Sequence, residues 1–513
     1  MRQAALALAL LACISAPEAQ EAQPTLTGSA LIDQQISKVW AEAQVPAAGP
    51  SDDGEFLRRL SLDLVGRLPS PDEILEFLKD AGPGKRAAKV DQLLALPEYA
   101  QAWADLWEAI LVGYDEKSRN DSKKALNTWL RDEVFAKNLP YDKMVVALLS
   151  SSGVNMENGP VNFLIKMTQK GGGGGVAMAS KASRLFMSTQ IQCAECHDHP
   201  FDRFTQEDFK GMVAFFVRTK AKKVDAKDNK DTRVELYDDA KGEASFGEGK
   251  AKKTVAPRFL DEIDPPKDVS RREGFVQLLI RPENPLFAKA VVNRYWARFF
   301  GRGIVEPVDD FSNRFKPSHP ELLDKLSKEF VTQGHDLAWL IRTIVNSKTY
   351  QLSSRKPENA SADRFFSYAD TRPLTPEQLY RSLTSVLGLQ DGQGVMKNPG
   401  DMLRQLRQKF GDEELADRGS FQGTIPQALL IMNGSMPNGE IGRVNNQLDK
   451  ILKQFTAPEE RLDRIFLTVL CRLPSPREAA KYLPYVKGAG GKKEPYEDLF
   501  WVLLNSSEFL FNH

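Results

Sequence analysis

Cysteine and histidine are scarce: four and five among 513 residues. So few cysteines exclude a disulfide-built scaffold, and every cysteine or histidine placed close to another carries information. Excess charge is also absent. Lys+Arg and Asp+Glu both total 69, which argues against a nucleic-acid binder, since that needs a basic surplus. The local run Lys220, Lys222, Lys223 is answered by Asp225, Asp228 and Asp231 and reads as a solvated loop. Long apolar runs are missing beyond the first residues, so no stretch reaches the roughly 18–20 residues of a membrane helix. What remains, 42% hydrophobic and 27% charged, is a globular composition too long for one ordinary core.

The start of the chain, 1–23, has the pattern of an export signal. Arg2 precedes an apolar run from Ala4 to Ile14, broken by Pro17. Leu10-Leu-Ala-Cys13 resembles a lipobox, which would make Cys13 a lipid anchor; cleavage near Ala16 to Ala22 is the other reading. Either way the expectation is an exported protein, periplasmic or at the cell surface.

The rest predicts a mainly α, multi-helix architecture in two parts: 30–216 and 267–513, separated by a charged insertion over 217–266. Phe56, Leu57, Leu60 and Leu64 recur at helical spacing, Pro71-Asp-Glu opens another helix, and Trp103, Leu106, Trp107 and Ile110 mark a third. The glycines 171–175 predict a loop, and Val176 to Ile191 a helix leading into Cys193. The insertion holds strand-like Val234-Glu-Leu-Tyr and Val255-Ala-Pro-Arg-Phe and predicts a small irregular sheet. One pattern repeats. Arg67-Leu-Pro-Ser-Pro71 returns as Arg472-Leu-Pro-Ser-Pro476, and Leu93 to Tyr99 resembles Leu503 to Phe509. Ile344 to Tyr350 is a weaker third copy. These predict helix, proline-fixed turn and aromatic plug, a structural unit rather than a catalytic one. Cys471 falls in an apolar run and predicts a buried thiol.

Cys193-Ala-Glu-Cys196-His197 is the strong chemical motif. Two thiols at this spacing can add to the vinyl groups of haem, and the adjacent His197 can bind its iron, giving haem c. A zinc or other metal ion on Cys193, Cys196, His197 and His199 is a second reading, and a Cys193–Cys196 disulfide or thiol pair a third. Candidates for the second iron ligand are Met187, Met178, Met212, His199 and His319, and five-coordinate iron is the alternative. A separate polar cluster comprises Asp309, Asp310 and Asn313 with His319, and Arg294 is placed to pair with either carboxylate. Its functional reading is metal-assisted hydrolysis around His197, His199 and His319 with Asp198, Asp309 or Asp310. Its structural reading is capping and a buried hydrogen-bond network.

Phe56 to Glu73, with Cys193 to Asp202, resembles the DUF1549 family, also called planctomycete cytochrome C-like domain 2 (PSCyt2). Asn284 to Phe287, Asn293 to Trp296, Phe300 to Asp310 and Ser318 to Leu323 resemble its usual partner DUF1553 (PSD1), as do Ser347 to Leu352 and Pro426 to Asn433. The resemblance implies a secreted protein of planctomycetes and similar bacteria, often encoded beside sulfatase-like DUF1501 proteins, and it implies no reaction. The sequence shows no separate cytochrome domain of the kind many longer relatives carry, so a one-haem protein would take electrons from a redox partner. The functions in view are electron transfer or a redox accessory role through one haem, a non-haem metal-dependent accessory or hydrolase in extracellular polymer breakdown, and a helical scaffold closed by the disulfide. A haem also needs an apolar cover. Phe201, Phe204, Phe209, Phe215 and Phe216 are expected to form it with Trp296, Phe299 and Phe300, in one core shared by the two parts.

Overall fold

The computed structural model describes residues 27–114, 120–168, 174–199, 203–224, 233–246, 252–260, 263–358, 363–389, 399–410, 446–488, 490 and 492–513. The export segment 1–23 with Cys13, Phe201, Asp202 and the stretch Pro426 to Asn433 lie outside them. The fold is mainly α, about 60% helical, with sheets of two or three strands only. No helix among the described residues is long and apolar enough to cross a membrane.

The first helices are α1 (Gly28–Ala43), α2 (Asp53–Leu64), α3 (Pro71–Lys79), α4 (Lys85–Leu94) and α5 (Pro97–Val112). Next come α6 (Asn120–Trp129), running into a π-helical turn at Leu130–Phe135, α7 (Tyr141–Ser150), α8 (Val161–Thr168), α9 (Gly174–Met187) and α10 (Gln206–Ala214). After the insertion follow α11 (Arg271–Ile280), α12 (Pro285–Phe300), α13 (Pro320–Thr332), α14 (Leu337–Val345), α15 (Pro376–Leu387) and α16 (Pro399–Phe410). The chain closes with α17 (Gln447–Gln454), α18 (Pro458–Leu470), α19 (Pro476–Gly488), α20 (Glu494–Leu504) and α21 (Ser507–Leu510).

Two local expectations are revised. Helix α9 begins at Gly174, so Gly174 and Gly175 belong to its first turn rather than to a loop. It also stops at Met187, four residues short of Ile191, because Ser188 turns left-handed at φ 48°.

Helix α2 is the axis of the fold. Asp52 caps it, and every residue from Phe56 to Leu64 is buried, polar ones included. A helix buried on all sides must satisfy its charged side chains internally. Arg58 Nη2 donates to the carbonyls of Glu508, Phe509 and Phe511 at 2.7, 3.2 and 3.1 Å. Arg59 Nη1 donates to Tyr350 O and Leu352 O at 2.7 and 2.8 Å, and its Nη2 pairs with Glu55 at 2.6 Å. Asp63 accepts from Tyr350 Oη, Arg372 Nη2 and Asn512 Nδ2, each at 2.9 Å.

The repeated sequence proves to be a repeated clasp. Arg67 forks onto Glu73 at 3.0 and 3.2 Å, while Ser70 and Glu73 form the capping box of α3. Arg472 forks onto Glu478 at 2.8 and 2.9 Å, and Ser475 caps Glu478 N at 3.3 Å. The second half of each unit returns to the same arginine, Glu98 to Arg67 at 3.8 Å and Glu508 to Arg472 at 2.6 Å. Tyr99, Phe509 and Tyr350 of the weaker copy are the buried plugs. The two clasps meet where Arg464 of α18 pairs with Asp72 of α3 at 3.0 Å. In this unit Cys471 caps α18 rather than lying within it, and its buried sulfur sits 3.7 Å from Arg58 Nη1.

The 217–266 insertion is sewn to both of its neighbours. Strand β1 (Gly153–Val154) pairs antiparallel with β3 (Arg233–Asp238), which pairs with β2 (Thr219–Val224) in the order β1-β3-β2. Strands β4 (Ala244–Phe246) and β5 (Lys253–Val255) form a separate hairpin, so the expected strand at Val255 to Phe259 covers only its first residue. Strands β6 (Arg372–Pro373) and β7 (Phe511–Asn512) make the third sheet. Arg272 ties the regions together, bonding Asp238 at 2.9 Å, Ser151 O at 2.7 Å and Ser152 Oγ at 2.7 Å.

Helices α9 and α12 pack on each other, and one continuous apolar cluster includes residues from both parts. The aromatics expected in one patch divide into two groups. Phe215 and Phe216 surround Phe275 at 5.4 and 4.9 Å, whereas Phe299 lies against Trp103 and Trp296 stacks on Phe300.

Removing Asp63 takes from the largely buried Arg372 the carboxylate it hydrogen-bonds. Asp63→Ala is expected to lower the unfolding free energy by about 3–5 kcal/mol, read by urea titration. Asp63→Asn, which keeps an acceptor oxygen, should cost less. A loss within about 1 kcal/mol for Asp63→Ala would contradict the central role given to this carboxylate.

Candidate functional site

The approach to the motif is fixed from the other side of the molecule. Ser188 Oγ donates to Val308 O at 2.9 Å, and Phe311 N donates to Ser188 O at 2.7 Å. The 304–311 loop is itself held by Asn293 of α12, which donates to Val305 O at 2.9 Å and accepts from Val305 N at 3.0 Å. Gly303 belongs here because a Cβ would meet Val305 O at 2.3 Å.

Residues Gln192–Glu195 then make a short 3-10 turn, pinned by buried Ala194. Cys193 and Cys196 are exposed and in no disulfide. His197 is exposed, with Nδ1 2.8 Å from the carbonyl of Asp198. A carbonyl only accepts, so this contact assigns the proton to Nδ1 and leaves the Nε2 lone pair available. The next residues are braced: Asp198 Oδ1 accepts from Gln206 N at 2.9 Å, and His199 N donates to Phe204 O at 2.7 Å.

The motif's donor set fits a covalently held haem: two accessible thiols, and an imidazole whose tautomer presents Nε2. The far-side candidates fare differently. Met187, Met178 and Met212 are fully buried in the apolar core and His319 is buried as well, so none faces the motif's open surface. His199 is half-buried, edge-on to Phe204. Among the described residues the expected aromatic cover does not close over the motif either, since Gln192, Cys193, Cys196, His197 and Asp198 are all exposed.

In the second cluster Asp309, Asp310 and His319 are buried and structural in their contacts, whereas Asn313 is exposed. Arg184 Nε pairs with Asp309 Oδ2 at 3.2 Å, and Gln190 Nε2 donates to Asp309 Oδ1 at 3.4 Å. Asp310 Oδ1 accepts from Ser312 N at 2.9 Å. The partner of Asp309 is therefore Arg184, not Arg294 as the sequence suggested, because α9 rather than α12 brings its arginine within bonding distance. Arg294 feels Asp309 only through space. His319 stands before α13 with Nδ1 3.0 Å from Ser318 Oγ, and its buried Nε2 has no hydrogen-bond partner among the described residues. Among the described residues no group of three His, Cys, Asp or Glu side chains is arranged to hold a metal, so His197, His199, His319, Asp309 and Asp310 are not brought into one site. Ser188, Arg184 and Gln190, which join the cluster to the motif, gave no sequence signal because their roles arise only from tertiary contact.

Two clefts adjoin on the side of α5. One encloses about 560 Å³ including its open mouth, between Trp103, Leu106, Trp107 and Ile110 of α5 and Arg294 and Arg298 of α12. The other, about 380 Å³, shares Trp103, Leu106 and Arg298 and is walled by Asp63, Asp105, Glu377 and Arg381. Tyr295 joins the helices, stacking on Trp103 at 5.0 Å and accepting from Trp107 Nε1 at 3.2 Å.

Burial lowers the pKa of His319 from 6.5 to about 4. Between those values the unfolded chain binds a proton that the folded chain does not, so His319 makes stability fall as pH drops from about 6.5 to 4. The loss is expected to be about 3 kcal/mol. Denaturation of wild type and His319→Gln across pH 4–7 measures it; parallel pH profiles would contradict it.

Two families match the chain. PSCyt2, described as a protein of unknown function (DUF1549), matches residues 31–221, and PSD1, described as a protein of unknown function (DUF1553), matches residues 271–418. No curated protein and no solved structure matches it. The first match holds α2, the thiol pair and His197, and the second holds Asn293, the 304–311 loop and His319, so the seam between Ser188 and Phe311 is a contact between the two. The chain belongs to the proteins that join a DUF1549 (PSCyt2) region to a DUF1553 (PSD1) region.

Proposed function

We propose that this chain is an exported c-type-cytochrome-like protein that carries one haem on Cys193 and Cys196 and serves electron transfer or a redox accessory role. The observation that carries the reading is the pairing of two exposed thiols with a histidine whose Nδ1 is turned to the Asp198 carbonyl. That contact fixes the ring's tautomer, and the Asp198–Gln206 bond steadies the segment behind it. Bound at these residues, haem would supply a one-electron couple. The open surface around the motif suits exchange with a redox partner protein. The export pattern at 1–23 belongs to the same proposal, since thioether attachment takes place outside the cytoplasm, and Cys13 would add a lipid anchor.

The test is peptide mass spectrometry on full-length protein from a host with cytochrome c maturation and from a native producer. The peptide spanning Cys193 to His197 is expected to carry haem through denaturation, and Cys193→Ser with Cys196→Ser to abolish it. His197→Ala should change the visible spectrum while leaving attachment intact. An unmodified peptide, or one closed by a Cys193–Cys196 disulfide, in the native producer overturns the proposal and returns the chain to a thiol or scaffold role. Stoichiometric metal without porphyrin overturns it in favour of a non-haem centre.

A further inference from the structure

Arg294 has an unusual position. Its guanidinium is half-buried on α12, yet it makes no hydrogen bond or ion pair with any described residue. Its electrostatic neighbours are the Tyr141 phenol, Arg184 and the Asp309 carboxylate, and that carboxylate is already taken by Arg184 and Gln190. Burial lowers the pKa of Arg294, the mark of a cation whose surroundings do not fully compensate it. Arginine is nonetheless charged in any accessible pH range, so the missing compensation falls to whatever enters from outside.

What lies outside is the larger cleft, lined by Arg294 together with Leu106, Trp107, Ile110 and Val308. We propose that this cleft binds a small organic acid, its carboxylate received by Arg294 and its apolar body lying along Leu106 and Ile110. Its wall is largely apolar with a few convergent polar groups, here Arg294, Arg298 and Glu306, which is the usual composition of a small-molecule site. Trp103 and Trp107 are themselves buried and present no open ring face of the kind a sugar stacks on, which selects an alkyl or aryl body. Glu306 lines the same cleft and accepts from Gly303 N at 2.8 Å, and its charge would turn the ligand's carboxylate toward the Arg294 end. The site is independent of the haem proposal and stands or falls without it.

The experiment is calorimetric titration of the full-length chain with 1-naphthoate, phenylacetate and octanoate, each paired with its neutral amide. At least one acid is expected to bind saturably and its amide to bind about tenfold or more weakly, the worth of a charge-assisted bond. Arg294→Gln should remove that preference, and Arg294→Lys should restore part of it. Leu106→Trp, which fills the cleft and leaves Arg294 in place, should abolish binding of acid and amide alike. Equal binding of acid and amide, an unchanged affinity in Arg294→Gln, or no saturation by any of the three acids up to roughly 10 mM overturns the proposal. Should Arg294→Gln fail to fold, the amide comparison and Leu106→Trp still decide it.

Discussion

A carboxylate with no water around it, Asp63, sets the terms for the rest of the molecule. Its three bonding partners come from the segment after α14, from β6 and from β7, and Arg298 of α12 lies 3.9 Å away. A buried charge is tolerated only when its partners are all in place, so these four segments must arrive in one arrangement or not at all. That requirement turns a collection of helices, individually able to pack in several ways, into one register. Arg58 and Arg59 extend the same constraint along α2 by collecting backbone carbonyls that end other elements.

The site inherits this rigidity at second hand. Helix α12 carries Arg298 toward Asp63, Asn293 toward the 304–311 loop, and Arg294 toward the cleft. The loop in turn grips Ser188, five residues before Cys193. The thiol pair is thus displayed on an exposed turn whose base is set by the DUF1553 region.

Much of the fold was legible because its signals are local. Helical spacing and prolines at first turns marked the helices, and the Arg-Leu-Pro-Ser-Pro echo marked a real repeat. Its mechanism was less visible: proline fixes the turn, but the closure is an arginine fork to a glutamate six residues on, which periodicity does not report. The end of α9 was misread because Ser188 carries no helix-stop signal, and its left-handed turn is imposed by bonds to Val308 and Phe311. The thiol–imidazole motif was legible from spacing alone. Its exposure was not, because the described aromatics expected to cover it are drawn into the one buried core, Phe215 and Phe216 around Phe275 and Trp296 onto Phe300. Asp309 was recognised as polar and buried but given the wrong arginine, since two helices offered one and only packing chose between them.

The clasping of α2 by the far end of the chain bears on how the protein comes to be folded. Arg58 bonds carbonyls at residues 508, 509 and 511, and Asp63 bonds Asn512, across about 450 positions of sequence. The central helix is therefore made about 450 residues before the segment that completes its bonding. Until residues 508–512 are made, Arg58 lacks its three carbonyl acceptors and Asp63 lacks Asn512, and pairing over such separations is slow and exposed to aggregation. Completion of the core around α2 therefore waits on residues 508–512.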